Sequence, residues 1–305
     1  MIPPVHPWEW AVLCKKVKSM WIGFAAASAL FAGLTAILAK CGVRHTGSSA
    51  ATVVRTMAAL CFAWGIAAVS SPLSAVADIE AGTWAFLILS GLATGASWLS
   101  YFKALQLGPV NQVVPIDKSS IILTILMALV VFEEPVGTQT GIALLVIGAG
   151  TFLMIEKKKE NVPESHGRSW IGYAFGSAFF ASLTSILGKA GMEGIDSNLG
   201  TAIRTVVVLI MALLLVFAEK KERELLRMDR KELVFLLLSG IASGASWLCY
   251  YRALQEGPAS VVVPIDKLSI LVTILFSYVV FKEKLTRKAA AGLVLLTGGT
   301  LLMTW

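Results

Sequence analysis

The chain has 305 residues, of which 56% are hydrophobic and only 15% charged, and its mean hydropathy is +0.76. A water-soluble fold is excluded by this balance, since soluble domains carry about 25% charged residues. Disorder is excluded by the high apolar content, and the four cysteines have no paired spacing that would indicate a disulfide scaffold or a metal site. The composition therefore indicates an integral membrane protein.

The net charge is +7, from 26 basic and 19 acidic residues. In a soluble protein this excess would suggest nucleic acid as a partner, whereas in a membrane protein it indicates cytoplasmic loops that face anionic lipid. We therefore expect the lipid bilayer, and not nucleic acid, to be the surrounding partner of this chain.

Ten apolar segments follow one another along the sequence. Each is long enough to cross a bilayer core of about 30 Å, which takes about 20 residues of helix. The sequence thus predicts an all-α integral membrane fold with ten transmembrane helices. They are expected at 21–40, 48–70, 83–107, 110–132, 138–155, 170–189, 198–218, 232–256, 259–281 and 288–304.

The two halves of the chain repeat one sequence at a constant offset of 149 residues. Residues 90–134 and 239–283 are identical at 29 of 45 positions, and both contain the sequences GASWL and VVPIDK. Charged residues within the segments repeat as well, since Arg55 matches Arg204. Because no gap is needed, the chain is an internal duplication.

The duplication divides the chain into an N-terminal tail and two five-helix repeats joined by a basic linker. Lysines 15, 16 and 18 precede an apolar run, as in a signal peptide. The same helix recurs at 170–189, in mid-chain, so we expect the first copy to be structural and uncleaved. The predicted domains are a tail at 1–20, a first repeat at 21–155, a cytoplasmic linker at 156–169 and a second repeat at 170–305.

Five helices is an odd number, so the second repeat is expected to enter the membrane from the opposite side, as an inverted repeat. The loop charges agree, because Asp78 and Glu80 in the first repeat correspond to a basic loop in the second. That loop contains Lys220, Lys221, Arg223, Arg227, Arg230 and Lys231. The positive-inside rule then places the basic loops in the cytoplasm and both termini outside, although the basic tail argues the other way. No organellar transit pattern is visible, so a plasma membrane is expected.

Several motifs carry a resemblance to a known family. The fourth segments end in VVFEEPVG and VVFKEKLT, the fifth segments are rich in glycine, and the ten segments form two inverted fives. Over 21–304 the chain resembles the EamA-type carriers of the drug/metabolite transporter superfamily, and each half resembles the short, single-domain form. The resemblance implies secondary transport of a small metabolite, often export, through a central cavity between two fused halves.

One departure from the superfamily bears on the substrate. The small multidrug resistance relatives use an acidic residue in the first helix, whereas 21–39 and 170–188 contain neither Asp nor Glu. This departure argues against a cationic-drug antiporter.

Charged residues inside the predicted helices are the main functional candidates. Each costs about 2.5–3.5 kcal/mol at the bilayer centre, so each needs a partner, water or a route to the interface. The first repeat holds Lys40, Arg55, Lys103, Asp117 and Lys118, and the second holds Lys189, Arg204, Arg252, Asp266 and Lys267. Because bases outnumber acids, an anionic or zwitterionic substrate is expected.

Arg55 and Asp117 each lie about seven residues into their helices, or roughly 10 Å deep, and are expected to form an ion pair. Arg204 and Asp266 are the equivalents near the other face. One hypothesis is that each pair, with its neighbouring lysines, is a gate for alternating access. The alternative is a permanently neutralised pair that fastens two helices together, with the lysines reaching the surface.

Pro115 and Pro264 precede the two aspartates by two residues. Proline removes a backbone donor and disfavours helix before itself, so the fourth helices are expected to be kinked or broken there. A new helical segment starting at the proline would place the aspartate in its first turn, where the helix dipole favours a carboxylate. A purely structural kink is the alternative.

Aromatic residues repeat at a spacing of three and share a helix face. They are Trp98 and Tyr101 in the first repeat and Trp247 and Tyr250 in the second. They are candidates for stacking on or hydrogen bonding to a solute, with core packing as the alternative. The pairs Gly91/Gly95 and Gly240/Gly244, by contrast, predict close helix contacts.

The predicted function is a secondary transporter of a small polar metabolite by alternating access. A proton is a candidate coupling ion, because Asp117 and Asp266 are the acids deep in the spans, although adjacent cations favour a fixed charge. The alternatives are a flippase for a phospholipid or lipid-linked substrate and a scaffold without transport. An enzyme is not expected, nor are a cofactor or a metal, since the spans contain no His and no nucleophile–base pair. Both a monomer and a homodimer fit the sequence.

Overall fold

A computed structural model describes residues 7–42, 47–107, 113, 116–134, 137–153, 169–226, 228–281 and 286–304. Within these residues the fold is helical and contains no strand. The helices are α1 (Pro7–Gly42), α2 (Ser48–Ser70), α3 (Ala81–Leu107), α4 (Ser120–Val131), α5 (Thr138–Leu153), α6 (Ser169–Ala190), α7 (Ser197–Ala218), α8 (Glu222–Leu226), α9 (Arg230–Glu256), α10 (Ala259–Lys267), α11 (Ser269–Phe281) and α12 (Arg287–Thr304).

Seven helices in the described part of the chain are long and apolar enough to cross a membrane. The ten predicted spans are therefore found in part. The remaining three correspond to α4, which has 12 described residues, α5, which has 16, and α12, which has 18 and begins with two basic residues.

Several boundaries differ from the predicted ones. Helix α1 begins at Pro7 and not at 21, because the basic segment that reads as a tail continues the helical pattern. The fourth span of the second half consists of α10 and α11, which are separated by Leu268. The loop between α7 and α9 contains the extra short helix α8, and a short 3₁₀ turn, Leu73–Val76, follows α2. Ser169, the last residue of the predicted linker, begins α6, and 156–168 lie outside the described residues.

The packing joins the two halves throughout. The first helix of each half packs on the third helix of the other, since α1 packs on α9 and α6 packs on α3. Helix α2 packs on α7, and α5 packs on α12. Small residues permit this close approach: a Cβ added at Gly150 would lie 2.6 Å from the backbone nitrogen of Leu296.

The direction of these pairs follows from their contacts. Ser49, at the start of α2, donates a 2.6 Å hydrogen bond to Glu219, which follows the end of α7. Ser70, at the end of α2, contacts Asp196, which precedes α7, at 3.3 Å. Helices α2 and α7 are therefore antiparallel.

Most of the outward-facing helix surface is apolar. Large hydrophobic side chains such as Val130, Leu145, Leu275 and Val294 are more than 60% exposed. In water such a surface would cost a large free energy, whereas lipid solvates it at no such cost. The interior contains many small and hydroxyl-bearing residues, and these surround the cavity described below.

Candidate functional site

A cavity of about 300 Å³ lies between the two halves of the chain. Helices α1 and α3 line it from the first half, and α6, α7, α9 and α10 from the second. It brings together six of the predicted site residues, which are Trp98, Arg204, Trp247, Tyr250, Asp266 and Lys267. The cavity therefore combines charged, hydroxyl and aromatic groups at the interface of the halves.

Arg204 is the most deeply buried charged group of this cavity, with 2% of its surface exposed. Its Nε donates to the hydroxyl of Ser90 at 2.8 Å, and its Nη2 donates to the hydroxyl of Thr94 at 2.5 Å. Its Nη1 is buried without a hydrogen-bond partner among the described residues. The guanidinium is thus held by α3 and retains one unused donor group.

Aromatic rings cover the same guanidinium. Its central carbon lies 4.8 Å from the ring centroid of Tyr251 and 5.9 Å from the ring of Trp247. Cation–π contacts of this kind stabilise a charge where water is scarce. Together with the two hydroxyl contacts, they explain how a cation is retained within an apolar helix when no carboxylate of the described residues pairs with it.

Asp266 lines the same cavity and is partly buried. Its Oδ1 accepts a 2.6 Å hydrogen bond from Ser28, and its Oδ2 lies 3.7 Å from the Nζ of Lys267. The equivalent residue, Asp117, accepts a 2.6 Å hydrogen bond from Ser177. Each aspartate is therefore bound by a serine from the first helix of the opposite half.

The expected Arg–Asp ion pairs are not formed in this conformation. Among the described residues, neither Arg55 with Asp117 nor Arg204 with Asp266 makes a salt bridge within 4.0 Å. In the second half, hydroxyls of α3 bind two nitrogens of Arg204, and Ser28 binds Asp266. Arg204 and Asp266 therefore line the cavity as separate charges.

The break in the fourth span of the second half lies later than expected. Pro264 is inside α10, and the helix ends at Lys267. The N–H of Leu268 then donates to the carbonyl of Ile265 in a tight turn. Asp266 is consequently in the last turn of α10 and not in the first turn of a new helix. A proline is tolerated within a helix of nine residues because it has few preceding turns to disrupt.

The first half has its break at the equivalent position. Residues 116–118 are helical, and Ser119, the counterpart of Leu268, forms a turn in which its N–H donates to Ile116 at 3.1 Å. Pro115 lies outside the described residues. The breaks at Ser119 and Leu268 occupy matching positions, and each lies two residues after an aspartate, Asp117 or Asp266.

The remaining predicted residues do not line the cavity. Arg55 is half-buried and its Nε has no hydrogen-bond partner in the described structure. The side chain of Lys118 is exposed. Tyr101 packs against Phe102 at 5.9 Å between ring centroids. Asp117 forms its serine contact outside the cavity lining.

Sequence differences between the repeats explain this asymmetry in part. Tyr250 donates a 2.9 Å hydrogen bond to Ser185 in the second half. The position equivalent to Ser185 in the first half is Ala36, which offers no acceptor to Tyr101. The position equivalent to Tyr251 is Phe102, so the ring nearest Arg204 has a hydroxyl that its first-half counterpart lacks.

Two intramembrane cations of the second half have ion-pair partners. Lys189 donates to the carbonyl of Gly257 at 2.6 Å and lies 3.5 Å from Glu134. Arg252 pairs with Glu256, one turn along α9, at 2.7 Å. In the first half, the side chain of Lys103 is exposed.

Sequence reasoning missed several residues that hold the site together. These are Ser28, Ser90, Thr94, Ser185, Tyr251 and Glu134. A signal was available for the serines, because Ser28 recurs as Ser177 and Ser90 recurs as Ser239 at the offset of 149. Hydroxyls are common in membrane helices, however, and only the pairing of α1 with α9 and of α3 with α6 gives them a partner.

Comparisons with known proteins agree with this architecture. An uncharacterized transporter in the cobO 3'region of Sinorhizobium sp is 41% identical over 134 residues, which are 44% of this chain and 95% of that relative. An uncharacterized protein of Methanocaldococcus jannaschii is 29% identical over 99 residues, 32% of this chain and 70% of that protein. A solved crystal structure matches with a TM-score of 0.71 and 15% identity, over 92% of this chain and 94% of that one; at this identity the match shows the fold alone.

A model of the EamA-like transporter family matches the chain twice, at residues 19–156 and 168–305. The two matches cover most of the chain, and members of this family are transporters and not enzymes. Together with the apolar helices, they make the chain a multi-pass membrane protein that transports a small solute. The chain belongs to the EamA-like transporter family.

Proposed function

We propose that this protein is a secondary carrier that moves a small carboxylate-bearing solute, anionic or zwitterionic, across the plasma membrane by alternating access, in the direction of export. The observation that carries the proposal is the unused donor of Arg204. A buried Nη1 beside a cavity lacks the hydrogen bond that such groups require. A carboxylate in the cavity supplies it.

The charges around the cavity favour a carboxylate over a cation. Arg204 and Lys267 are both positive, and a charge-assisted hydrogen bond from a guanidinium to a carboxylate is about twice as strong as a neutral one. Asp266 supplies a negative group in the same cavity, which suits the ammonium group of a zwitterion. A purely cationic solute would meet repulsion from both bases.

The aromatic side chains suit the apolar part of such a solute. Trp98, Trp247 and Tyr250 line the same cavity, and aromatic rings of this kind bury a large apolar surface. The cavity volume of about 300 Å³ is at the lower end of the range for small-molecule sites. A metabolite of a few non-hydrogen atoms up to the size of an amino acid fits it.

Alternating access requires two arrangements of the halves. We propose that they are inverted repeats of five spanning helices, at 21–155 and 170–305, joined by a cytoplasmic linker, with both termini outside. The antiparallel contacts of α2 with α7 support this arrangement. The Sinorhizobium relative, about half as long as this chain, supports an origin by fusion of two such units.

We propose that transport is coupled to a proton, because the acidic residues provide groups that can bind one. Asp266 and Asp117 each accept a hydrogen bond from a serine hydroxyl, and such a bond persists in either protonation state. A fused pair completes its own cavity, so we propose a monomer as the transporting unit. Two copies in a homodimer would each retain a complete cavity.

A thermal-stability screen of the purified protein tests the proposed substrate class. Anionic, zwitterionic, cationic and neutral metabolites are added separately, and a ligand at 100 times its Kd is expected to stabilise by about 2.7 kcal/mol. We expect anions or zwitterions to stabilise the wild type and Arg55→Lys. Arg204→Lys is expected to lose this response, because a lysine lacks the fork that holds both hydroxyls and a carboxylate.

Other outcomes of the same screen contradict the proposal. Stabilisation by cations alone would overturn the assignment of Arg204 as the carboxylate-binding group. Stabilisation by phospholipids or lipid-linked sugars alone would point to a flippase. A protein that responds to no ligand class would contradict the binding of a soluble metabolite in this cavity.

A further inference from the structure

Glu134 lies just after α4 and is almost fully buried, with 9% of its surface exposed. Its Oε1 accepts a 2.6 Å hydrogen bond from the backbone N–H of Ala259. Its Oε2 accepts a 3.0 Å hydrogen bond from the N–H of Ser260. One carboxylate from the first half of the chain therefore binds the first two amides of α10 in the second half.

Helix α10 has no cap from its own sequence. Its N-cap residue is Pro258, which makes no side-chain hydrogen bond to the first turn. The free amides of a helix N-terminus need an acceptor, and the helix dipole favours a negative one. The carboxylate of Glu134 is an acceptor and is negatively charged, so the N-terminal cap of α10 comes from the opposite half of the chain.

Lys189 completes this cluster, which we call the Glu134 clamp and which comprises Glu134, Lys189, Gly257, Ala259 and Ser260. The Nζ of Lys189 lies 2.6 Å from the carbonyl of Gly257 and 3.5 Å from Oε1 of Glu134. The lysine thereby joins the end of α6 to the segment between α9 and α10. It also balances the buried charge of the carboxylate.

The clamp lies beyond one end of the cavity. On α6, Ser185 lines the cavity and Lys189 follows one turn later. On α9, Tyr251 lines the cavity and Gly257 follows six residues later. On α10 the order is reversed, because the clamp residue Ala259 precedes the cavity residue Asp266. Three cavity-lining helices thus converge on the clamp in the same direction.

We propose that Glu134 is the gating residue at this end of the cavity: its bonds to Ala259 and Ser260 keep the end closed, and their release opens it. The proposal rests on alternating access in the proposed function. While the clamp is formed, the end of α4 and the start of α10 cannot separate. Opening this end requires that they do.

The helix amides, and not the lysine, are the main partners of the carboxylate. Glu134 makes its two shorter bonds to N–H groups, whereas the contact with Lys189 is the longest at 3.5 Å. Removing the carboxylate charge therefore opens the clamp more than removing the lysine does. A charge swap, Glu134→Lys with Lys189→Glu, does not restore closure, since it presents a cation to the N-terminus of α10.

The test measures access to the cavity and needs no substrate. The four cysteines, Cys14, Cys41, Cys61 and Cys249, are first replaced by serine. Ala181→Cys then introduces one thiol in the cavity lining, eight residues or about 12 Å from Lys189 along α6. A membrane-impermeant maleimide is applied to either side of proteoliposomes. A separate Ser74→Cys protein identifies the side of the clamp. Ser74 is exposed just after α2, and the end of α2 contacts Asp196, which follows Lys189 along the chain.

In this background we compare Glu134→Gln with Glu133→Gln. Glutamine keeps the shape but loses the charge, and Glu133 is the adjacent, exposed glutamate. We expect Glu134→Gln to raise the labelling rate at Ala181→Cys at least tenfold from the clamp side only. Glu133→Gln is expected to leave it unchanged, and Lys189→Met to raise it by a smaller factor.

Three results would overturn the proposal. These are an unchanged rate in Glu134→Gln, an equal rise in Glu133→Gln, and a rise from both sides, which would indicate general loosening. Glu134→Asp, whose shorter carboxylate keeps the charge, provides a second variant if Glu134→Gln fails to fold; it is expected to give an intermediate rate. Because labelling is independent of ligand, the gate and the substrate assignment fail separately.

Discussion

The hydroxyl of Ser28, in the first half of the chain, donates a 2.6 Å hydrogen bond to Asp266 in the second half. Ser177 donates one of the same length to Asp117 in the reverse sense. Each aspartate that precedes a helix break is therefore held by the first helix of the other half. This exchange ties the two breaks to the interface where the halves meet.

Loss of the Ser28 hydroxyl is expected to destabilise the protein. Ser28 is fully buried, and a hydrogen bond to a charged group contributes about 1.5–3 kcal/mol. We expect Ser28→Ala to lower the free energy of unfolding by about that amount, measured by thermal or denaturant unfolding in detergent. Ser74→Ala, at an exposed position, is the control. Equal stability of both variants would contradict a role for the Ser28–Asp266 bond.

The glycines of the fifth spans are expected to differ sharply. A Cβ at Gly150 would lie 2.6 Å from the backbone nitrogen of Leu296 and 2.7 Å from the carbonyl of Gly292, whereas one at Gly298 would meet nothing within 4 Å. Backbone atoms cannot move aside as a flexible side chain can. We expect Gly150→Ala to destabilise by about 1–3 kcal/mol and Gly298→Ala to have no such cost. A similar unfolding midpoint for both variants would argue against the close α5–α12 contact.

The sequence was sufficient for the membrane class, the duplication and the identity of the charged residues. Those features depend on composition and on a repeat at constant offset, and both can be read from the sequence without knowing how the helices pack. Arg204 and Asp266 could be named as site residues in this way. The partners of these two residues could not be predicted. An ion pair inferred from equal depth does not take into account the hydroxyl of Ser90, which accepts a hydrogen bond from Arg204.

The contact of Glu134 with α10 could not be predicted from the sequence, for a physical reason. Glu134 follows a strongly apolar span and precedes a proline, so the sequence places it in a loop among other charges. Its burial depends on the N-terminus of α10, which is 125 residues away along the chain. The position of the helix break was also predicted incorrectly. The sequence indicated a break at Pro264, whereas the turn forms four residues later, at Leu268.

The pH dependence of stability is expected to involve Glu219, which follows α7 outside the membrane-spanning segment. Burial alone would raise the pKa of Glu219, but hydrogen bonds from Ser49 and Lys221 outweigh it and lower the pKa below its ordinary value of 4.5. A carboxylate with a lowered folded-state pKa stabilises the fold above its unfolded pKa, and this contribution disappears as the pH falls through the folded pKa. We therefore expect stability to fall below pH 4.5.

Substitution of the serine isolates this contribution. Ser49→Ala removes the 2.6 Å bond to Glu219 and is expected to flatten the loss of stability that occurs as the pH falls below 4.5. Ser48→Ala, one residue earlier and exposed, is the matched control. Identical pH profiles for the wild type and Ser49→Ala, from unfolding midpoints, would exclude Glu219 as the group responsible.

The two halves are expected to contribute unequally to ligand binding. Tyr250 lines the cavity and is oriented by Ser185, whereas Tyr101 does not line it. We expect Tyr250→Phe to weaken binding of the stabilising ligand by up to about tenfold, as for one hydrogen bond, and Tyr101→Phe to leave it unchanged. Titration calorimetry of both variants measures this. Equal losses would point to a symmetric site.

Solute counterflow in proteoliposomes tests the carrier assignment most directly. Vesicles loaded with the unlabelled anionic or zwitterionic ligand identified by thermal stabilisation receive a trace of the labelled form outside, and its transient accumulation is followed. An alternating-access carrier gives accumulation with the wild type and Arg55→Lys, and none with Arg204→Lys or with empty vesicles. Wild-type protein that binds the ligand yet gives no accumulation above protein-free vesicles would contradict transport through this cavity.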